Sequence, residues 1–159
     1  MPFSATAQRL NNTKLVVMCD ECLKWRCVYA QKSLTKEEKK EATFLLETVS
    51  YSCGSSLNDI DEFESCECES DNCDCEDKTV LAKLHTSKKL TCASPMEVPY
   101  YGVFKTEPLC FYCGRETLFP TEPKKYFPLC NTCKEKGLKQ KERPHTQKDS
   151  KKFRKNDWR

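Results

Sequence analysis

Two pairs of thiols near the C-terminal end do most to limit what this chain can become. Cys110-Phe-Tyr-Cys113-Gly is followed, after sixteen residues, by Cys130-Asn-Thr-Cys133. Cysteines three apart wrap one tight turn and supply two corners of a tetrahedron. Two such turns close a four-thiolate zinc site with bonds of about 2.3 Å. Gly114 lets backbone N–H groups face sulfur without a side-chain clash. The plainer alternative, four buried cysteines without metal, explains the residue type but not the double spacing.

The rest of the composition points the same way. The chain has 159 residues, 32% of them charged, and its strongly apolar residues are thinly spread. A small fold with little core needs a staple, and 13 cysteines are the available one. The residues before Thr13 carry no apolar run flanked by basic residues, and the longest apolar stretch is Leu15–Met18. Neither a secretory leader nor a membrane span is expected. A reducing compartment, together with an odd cysteine count, favours metal over a disulfide framework.

Along the chain, residues 1–14 are polar and expected to be loose. Lys14–Met18 and Trp25–Ala30 read as strands, the second with Trp25, Cys27 and Tyr29 on one face. Thr35 and Glu38 form a capping box for a helix whose buried stripe is Ala42, Leu45, Leu46 and Val49. Cys53 is expected on a strand, Val49–Cys53. Residues 54–78 read as an acidic insertion, and Thr79–Leu84 with Lys89–Thr91 as a hairpin or two short strands. Pro95, Pro99 and Pro108 are expected to break the next stretch, with Gly102 in a turn. A four-cysteine unit spans 105–136, and residues 137–159 are expected to be a disordered basic tail. The fold class expected is small, α+β and zinc-stabilised.

Cys19-Asp-Glu-Cys22 is a second half-site, without another Cys-x2-Cys to complete it. The run Cys19-Asp-Glu-Cys22-Leu-Lys24-Trp25-Arg26 resembles the opening of CW-type zinc fingers, small chromatin modules. That resemblance implies a third ligand at the end of a strand, matched by Cys53. It implies a fourth shortly before Pro and Glu, matched by Cys92-Ala-Ser-Pro95-Met-Glu97. Residues 15–104 would then form a CW-like, treble-clef-like finger holding zinc on Cys19, Cys22, Cys53 and Cys92, with a helix and the acidic segment inserted. A zinc ribbon or knuckle pair on Cys110, Cys113, Cys130 and Cys133 would follow. The whole chain also resembles cysteine-rich animal proteins associated with mobile elements, through Cys19–Cys22, Tyr51–Gly54, Pro95–Tyr101 and Cys110–Cys133. That likeness implies no particular activity.

Ten acidic residues and no basic one lie between Asp59 and Asp77, around Cys66, Cys68, Cys73 and Cys75. Such charge runs are usually solvated, so the plain reading is an acidic loop with incidental cysteines. The alternative is a third metal site, making three zinc ions per chain instead of two. Cys27 reads as core packing, and His85 and His145 as solvated.

Four thiolates close a zinc ion's coordination, so these sites build structure rather than catalyse. No phosphate loop, His-Glu-x-x-His motif or nucleophile elbow is present. A non-enzymatic protein is expected, with Cys-x2-Cys redox chemistry as the enzymatic alternative. Lys134–Arg159 holds eleven basic residues against four acidic ones. Lys148, Lys151, Lys152, Arg154, Lys155 and Arg159 are candidate phosphate contacts, and Phe153 and Trp158 could stack on bases. Residues 151–155 also suit a nuclear-import signal, and a solubilising tail is the plain alternative. The expectation is a nuclear, DNA- or chromatin-associated accessory module with nucleic-acid and protein partners, and with neither membrane nor small-molecule substrate. The second class is protein recognition. The CW resemblance implies an aromatic cage for methyl-lysine. Trp25 matches one cage position and Val16 stands at the other, with Tyr100 and Tyr101 as exposed anchors for a different partner.

Overall fold

A computed structural model describes residues 5–57, 80–105 and 107–144. Its centre is a short antiparallel hairpin, β1 (Leu15–Met18) and β2 (Trp25–Val28), in register Leu15 with Val28 and Met18 with Trp25. Strand side chains alternate between faces, and here both faces are apolar. Leu15, Val17 and Val28 point into one core with Ala42, Leu45, Leu46, Tyr51, Leu57, Val80, Leu81 and Leu84. Val16, Trp25 and Cys27 point into a second core with Leu10, Tyr29, Met96, Tyr100, Tyr101, Leu109, Phe111 and Phe127. The second core draws on both ends of the described chain, so the N-terminal and C-terminal cysteine units share an interior.

The helix α2 (Lys36–Thr48) covers the first core. Its capping box is formed as the sequence suggests. Glu38 N–H donates to Thr35 Oγ1 at 3.2 Å, and Thr35 N–H donates to Glu38 Oε2 at 2.8 Å. Glu38 also pairs with Lys83.

Residues 7–13, expected to be loose, form helix α1 (Ala7–Thr13). Its sequence is too polar to show an apolar stripe, but Leu10 and Thr13 are fully buried. Thr6 caps its start. Asn12 Nδ2 donates to the Ala30 and Gln31 carbonyls at 2.9 and 3.1 Å, holding the helix to the end of β2.

Further expectations change. Residues 49–53 are not a strand; side chains of Asp20 and Glu21 hold this segment instead of a ladder. Val80–Lys83 is a 3-10 turn, and the only bridge nearby among the described residues joins His85 to Tyr29. Val98–Val103 is helix α3, with Pro99 in its first turn, where a missing N–H is no loss. Gly102 lies inside α3, close to Ala7 of α1. Tyr100 and Tyr101 are consequently buried, not exposed anchors. His85 is half-buried, and burial followed by the nearby charges of Arg9 and Lys88 lowers its pKa.

The outer edge of β2 is closed by a carboxylate. Cys27 N–H and Tyr29 Oη–H donate to the two oxygens of buried Glu97, each at 2.7 Å. This satisfies a strand edge without a third strand.

Residues 137–144 also depart from expectation. They fold back on the C-terminal unit: Phe127 N–H donates to Lys141 O at 3.0 Å and Arg143 N–H to Lys125 O at 2.7 Å. Arg143 lies over the Tyr101 and Phe127 rings. No helix among the described residues is long and apolar enough to cross a membrane.

Candidate metal centres

Both half-sites of the Cys-x2-Cys type take the same local shape. Leu23 N–H donates to Cys19 O at 2.8 Å and Cys19 N–H to Lys24 O at 3.0 Å. The second turn repeats this pattern: Gly114 N–H to Cys110 O at 2.9 Å and Cys110 N–H to Arg115 O at 2.8 Å. The residue after each pair must be left-handed for the turn to close. Gly114 adopts φ 71° at no steric cost, whereas Leu23 adopts φ 57° with its side chain exposed.

The first turn gathers its remaining sulfurs from two distant loops. Cys19, Cys22, Cys53 and Cys92 place their sulfurs within 4.8 Å of one another. Cys19 and Cys92 are 3.8 Å apart, and Cys22 and Cys53 are 3.6 Å apart. The second set, Cys110, Cys113, Cys130 and Cys133, converges equally, with 3.6 Å between Cys113 and Cys130. Zinc with bonds of about 2.3 Å sets tetrahedral sulfur–sulfur edges of about 3.8 Å, close to all three distances. A disulfide needs about 2.05 Å, and all nine described cysteines are free. The donor sets therefore fit two metal ions, each enclosed by four thiolates. Cys66, Cys68, Cys73 and Cys75 lie outside the described residues.

In the second set the last two ligands do not form another knuckle. Cys130 precedes and Cys133 lies within helix α4 (Asn131–Glu135), and Cys133 N–H donates to Cys130 Sγ at 3.4 Å. The arrangement is a knuckle facing a helix start, in place of the expected ribbon or knuckle pair.

Charged residues beside the first set complete it. Arg26 is fully buried. Its Nε donates to Cys53 Sγ at 3.2 Å, Nη1 to Pro95 O at 2.7 Å, and Nη2 to Thr91 O and Ser94 O at 3.1 Å each. Lys24 Nζ donates to Cys92 O and Ser94 O at 3.0 and 2.8 Å. Among the described residues no carboxylate lies within ion-pair distance of Arg26, but the charges of Cys53 and Cys22, and of buried Glu97, favour its guanidinium. A buried guanidinium needs anions nearby, and thiolates held by a metal would add to them. On the other flank, Tyr51 N–H and the Ser50 hydroxyl donate to Asp20 Oδ2, and the Ser52 hydroxyl donates to Glu21 Oε1. These bonds fix the approach to Cys53.

Both sets favour ionised sulfur at their first cysteine. Burial opposes the Cys19 thiolate, but N–H groups of Cys22, Glu21 and Cys53 prevail and hold its pKa down to about 6. Burial likewise opposes ionisation of Cys110, and N–H groups of Cys113, Cys130 and Tyr112 bring it to about 7. Burial pushes Cys53 up to about 11, with Arg26 working against that rise.

Lys24, Arg26, Asp20 and Glu21 were not read from the sequence as parts of the site. The available signal was their position, four charged residues within or just after a half-site. Trp25, matched to a cage position, is half-buried against the second core. Lys148, Lys151, Lys152, Arg154, Lys155, Arg159 and His145 lie outside the described residues. Comparison of the chain with protein-family models, curated proteins and solved structures finds no match.

Proposed function

We propose that the protein is a non-enzymatic zinc protein, with two zinc ions per chain, that serves as an accessory or targeting module of a nuclear, DNA-associated complex. The observation that carries this reading is the enclosure of each metal position by four thiolates. Such a set leaves no coordination position for water or substrate, so the ion's work is to hold loops together. Zinc is favoured over other divalent ions by the all-thiolate donor set and the tetrahedral spacing. The basic residues between Lys148 and Arg159 supply the contact with phosphates, which is salt-dependent and reads little sequence.

Two measurements test the reading. Native mass spectrometry should find two zinc ions per chain, or three if the cysteines at 66–75 also bind. Anisotropy of labelled duplex DNA should show binding that weakens steeply with salt and is lost when Lys151, Lys152, Arg154 and Lys155 are changed to Gln. A chain that carries no zinc, or that leaves DNA free at low salt, would end the proposal.

A second reading, protein recognition without nucleic acid, is favoured by one feature. Leu118 and Phe119 are 87% and 57% exposed on the loop between the two halves of the second set. Loss of a protein partner, with DNA binding intact, on Phe119→Ser would favour it.

A further inference from the structure

Glu21 stands between two ligands of the first set and holds its carboxylate against a third. Its Oε2 accepts from Cys92 Sγ at 3.1 Å, and its Oε1 accepts from the Ser52 hydroxyl at 3.1 Å. Both oxygens are therefore fixed beside one corner of the set. The four sulfurs converge within 4.8 Å of one another without it. Held by a metal, Cys92 is a thiolate, and the Glu21 carboxylate becomes a like charge at its side. Cys53 has the opposite surroundings, with Arg26 Nε donating to its sulfur at 3.2 Å. In the second set Cys133 N–H donates to Cys130 Sγ, and no sulfur there bonds to a carboxylate among the described residues.

The loop that carries Cys92 is also held by bonds that do not involve its sulfur. Lys24 Nζ donates to the Cys92 and Ser94 carbonyls, and Arg26 donates to those of Thr91, Ser94 and Pro95. Met96 N–H donates to Phe111 O, in the knuckle of the second set, at 2.7 Å. Cys92 itself is half-buried between exposed Thr91 and Ala93, so an incoming ligand can reach it.

We propose that the first set is an exchangeable metal site that opens at Cys92, with Glu21 as the oxygen donor that takes the vacated corner. The Cys92 sulfur leaves with its electron pair and is capped by a proton from solvent. A Glu21 oxygen gives its own pair to the ion, so four bonds are kept. Zinc accepts carboxylate oxygen at about 2.0–2.2 Å beside thiolates at about 2.3 Å. The loop stays in place through Lys24, Arg26 and Met96, and the ion passes to a competing thiol without unfolding of the chain. The second set has no such carboxylate and keeps its ion. The inference rests on the two-zinc reading above and divides those ions into one exchangeable and one structural.

The test uses the zinc-loaded full chain, challenged with a heavy zinc isotope and millimolar glutathione and followed by native mass spectrometry. Glu21→Gln keeps an acceptor for the Ser52 hydroxyl but removes the charge. It should slow the exchange of one ion by about tenfold, on the scale of outer-shell changes, and leave the other at its wild-type rate. Brief iodoacetamide labelling of the loaded protein, mapped by peptide, should modify Cys92 before Cys19, Cys22 and Cys53. Equal or faster exchange in Glu21→Gln overturns the exchange site and leaves the zinc reading standing, because a carboxylate that only braces the Cys53 approach would not speed release. Labelling of Cys22 before Cys92 overturns it as well. A chain that carries no zinc would overturn both readings.

Discussion

Arg26 reaches from the second strand to the sulfur of Cys53 and, with its other nitrogens, to the loop that carries Cys92. One buried side chain thus joins two ligands that are 39 positions apart in sequence. Removing it leaves the Pro95 and Thr91 carbonyls and the Cys53 sulfur without their Arg26 donor, while Ser94 O keeps Lys24. Arg26→Met should destabilise the protein by about 3–5 kcal/mol, the range for breaking one side of a buried charge pair. Metal affinity at the first set should fall by about 10–100-fold, as for lost outer-shell partners, with the second set unaffected. Competition with a chromophoric chelator, followed by peptide-level mapping of protected cysteines, distinguishes the two sets. Equal loss at both would show that Arg26 acts on the fold in general.

The two knuckles make opposite predictions at equivalent positions. A left-handed backbone costs a side chain about 1–2 kcal/mol. Glycine recovers that cost but gains about 0.4–1 kcal/mol of freedom in the unfolded chain. Leu23 is 66% exposed and forfeits little packing, so Leu23→Gly should stabilise by up to about 1 kcal/mol. Gly114→Ala should do the reverse, since its new methyl would meet Met96 Sδ at 3.1 Å and Lys24 Cγ at 3.2 Å. Urea unfolding of the metal-loaded proteins reads both, and a destabilised Leu23→Gly would contradict the account.

Glu97 takes the place of a neighbouring strand, so its loss should be felt in the second core. Glu97→Ala leaves Cys27 N–H and the Tyr29 hydroxyl unmet, at about 1–3 kcal/mol for each donor. Glu97→Gln retains one acceptor oxygen and should fall between wild type and Glu97→Ala. If the two variants melt together, the carboxylate is not acting as the strand substitute.

Cys27 should behave unlike the ligand cysteines. Burial, then the neighbouring Glu97 carboxylate, pushes its thiol well above the usual range. In the native, metal-loaded protein it should resist iodoacetamide at pH 8. After chelation and unfolding it should be modified at the rate of an ordinary thiol. Rapid labelling of Cys27 in the folded state would contradict its place in the core.

Chelation should unfold the described body as a unit. The second core joins residues near Leu10 to residues near Phe127, so neither cysteine unit closes that core without the other. Circular dichroism during removal of metal should show one cooperative loss of structure, with tertiary signals disappearing alongside secondary ones. Retention of a native near-ultraviolet spectrum without metal would remove the ions from the fold's support.

The metal-binding chemistry was legible in the chain because it depends on short spacings. Cys110, Cys113, Cys130 and Cys133 declare a tetrahedral set through local turns, and Thr35 with Glu38 declares a helix start. Both rules act within a few residues. Cys53 and Cys92 were reached through a resemblance, since nothing local marks them as partners of Cys19. The structure brings them there through the Asp20 and Glu21 contacts and the Arg26 guanidinium. The misread segments share a cause. Residues 7–13 and 98–103 are too short and too polar or proline-rich to carry periodicity, and their helices persist by burying Leu10, Tyr100 and Tyr101 in the core they share. Spacing along a chain can specify which atoms bind an ion, whereas which helices survive, and which charged side chains become buried around the ligands, follows from packing between residues far apart in sequence.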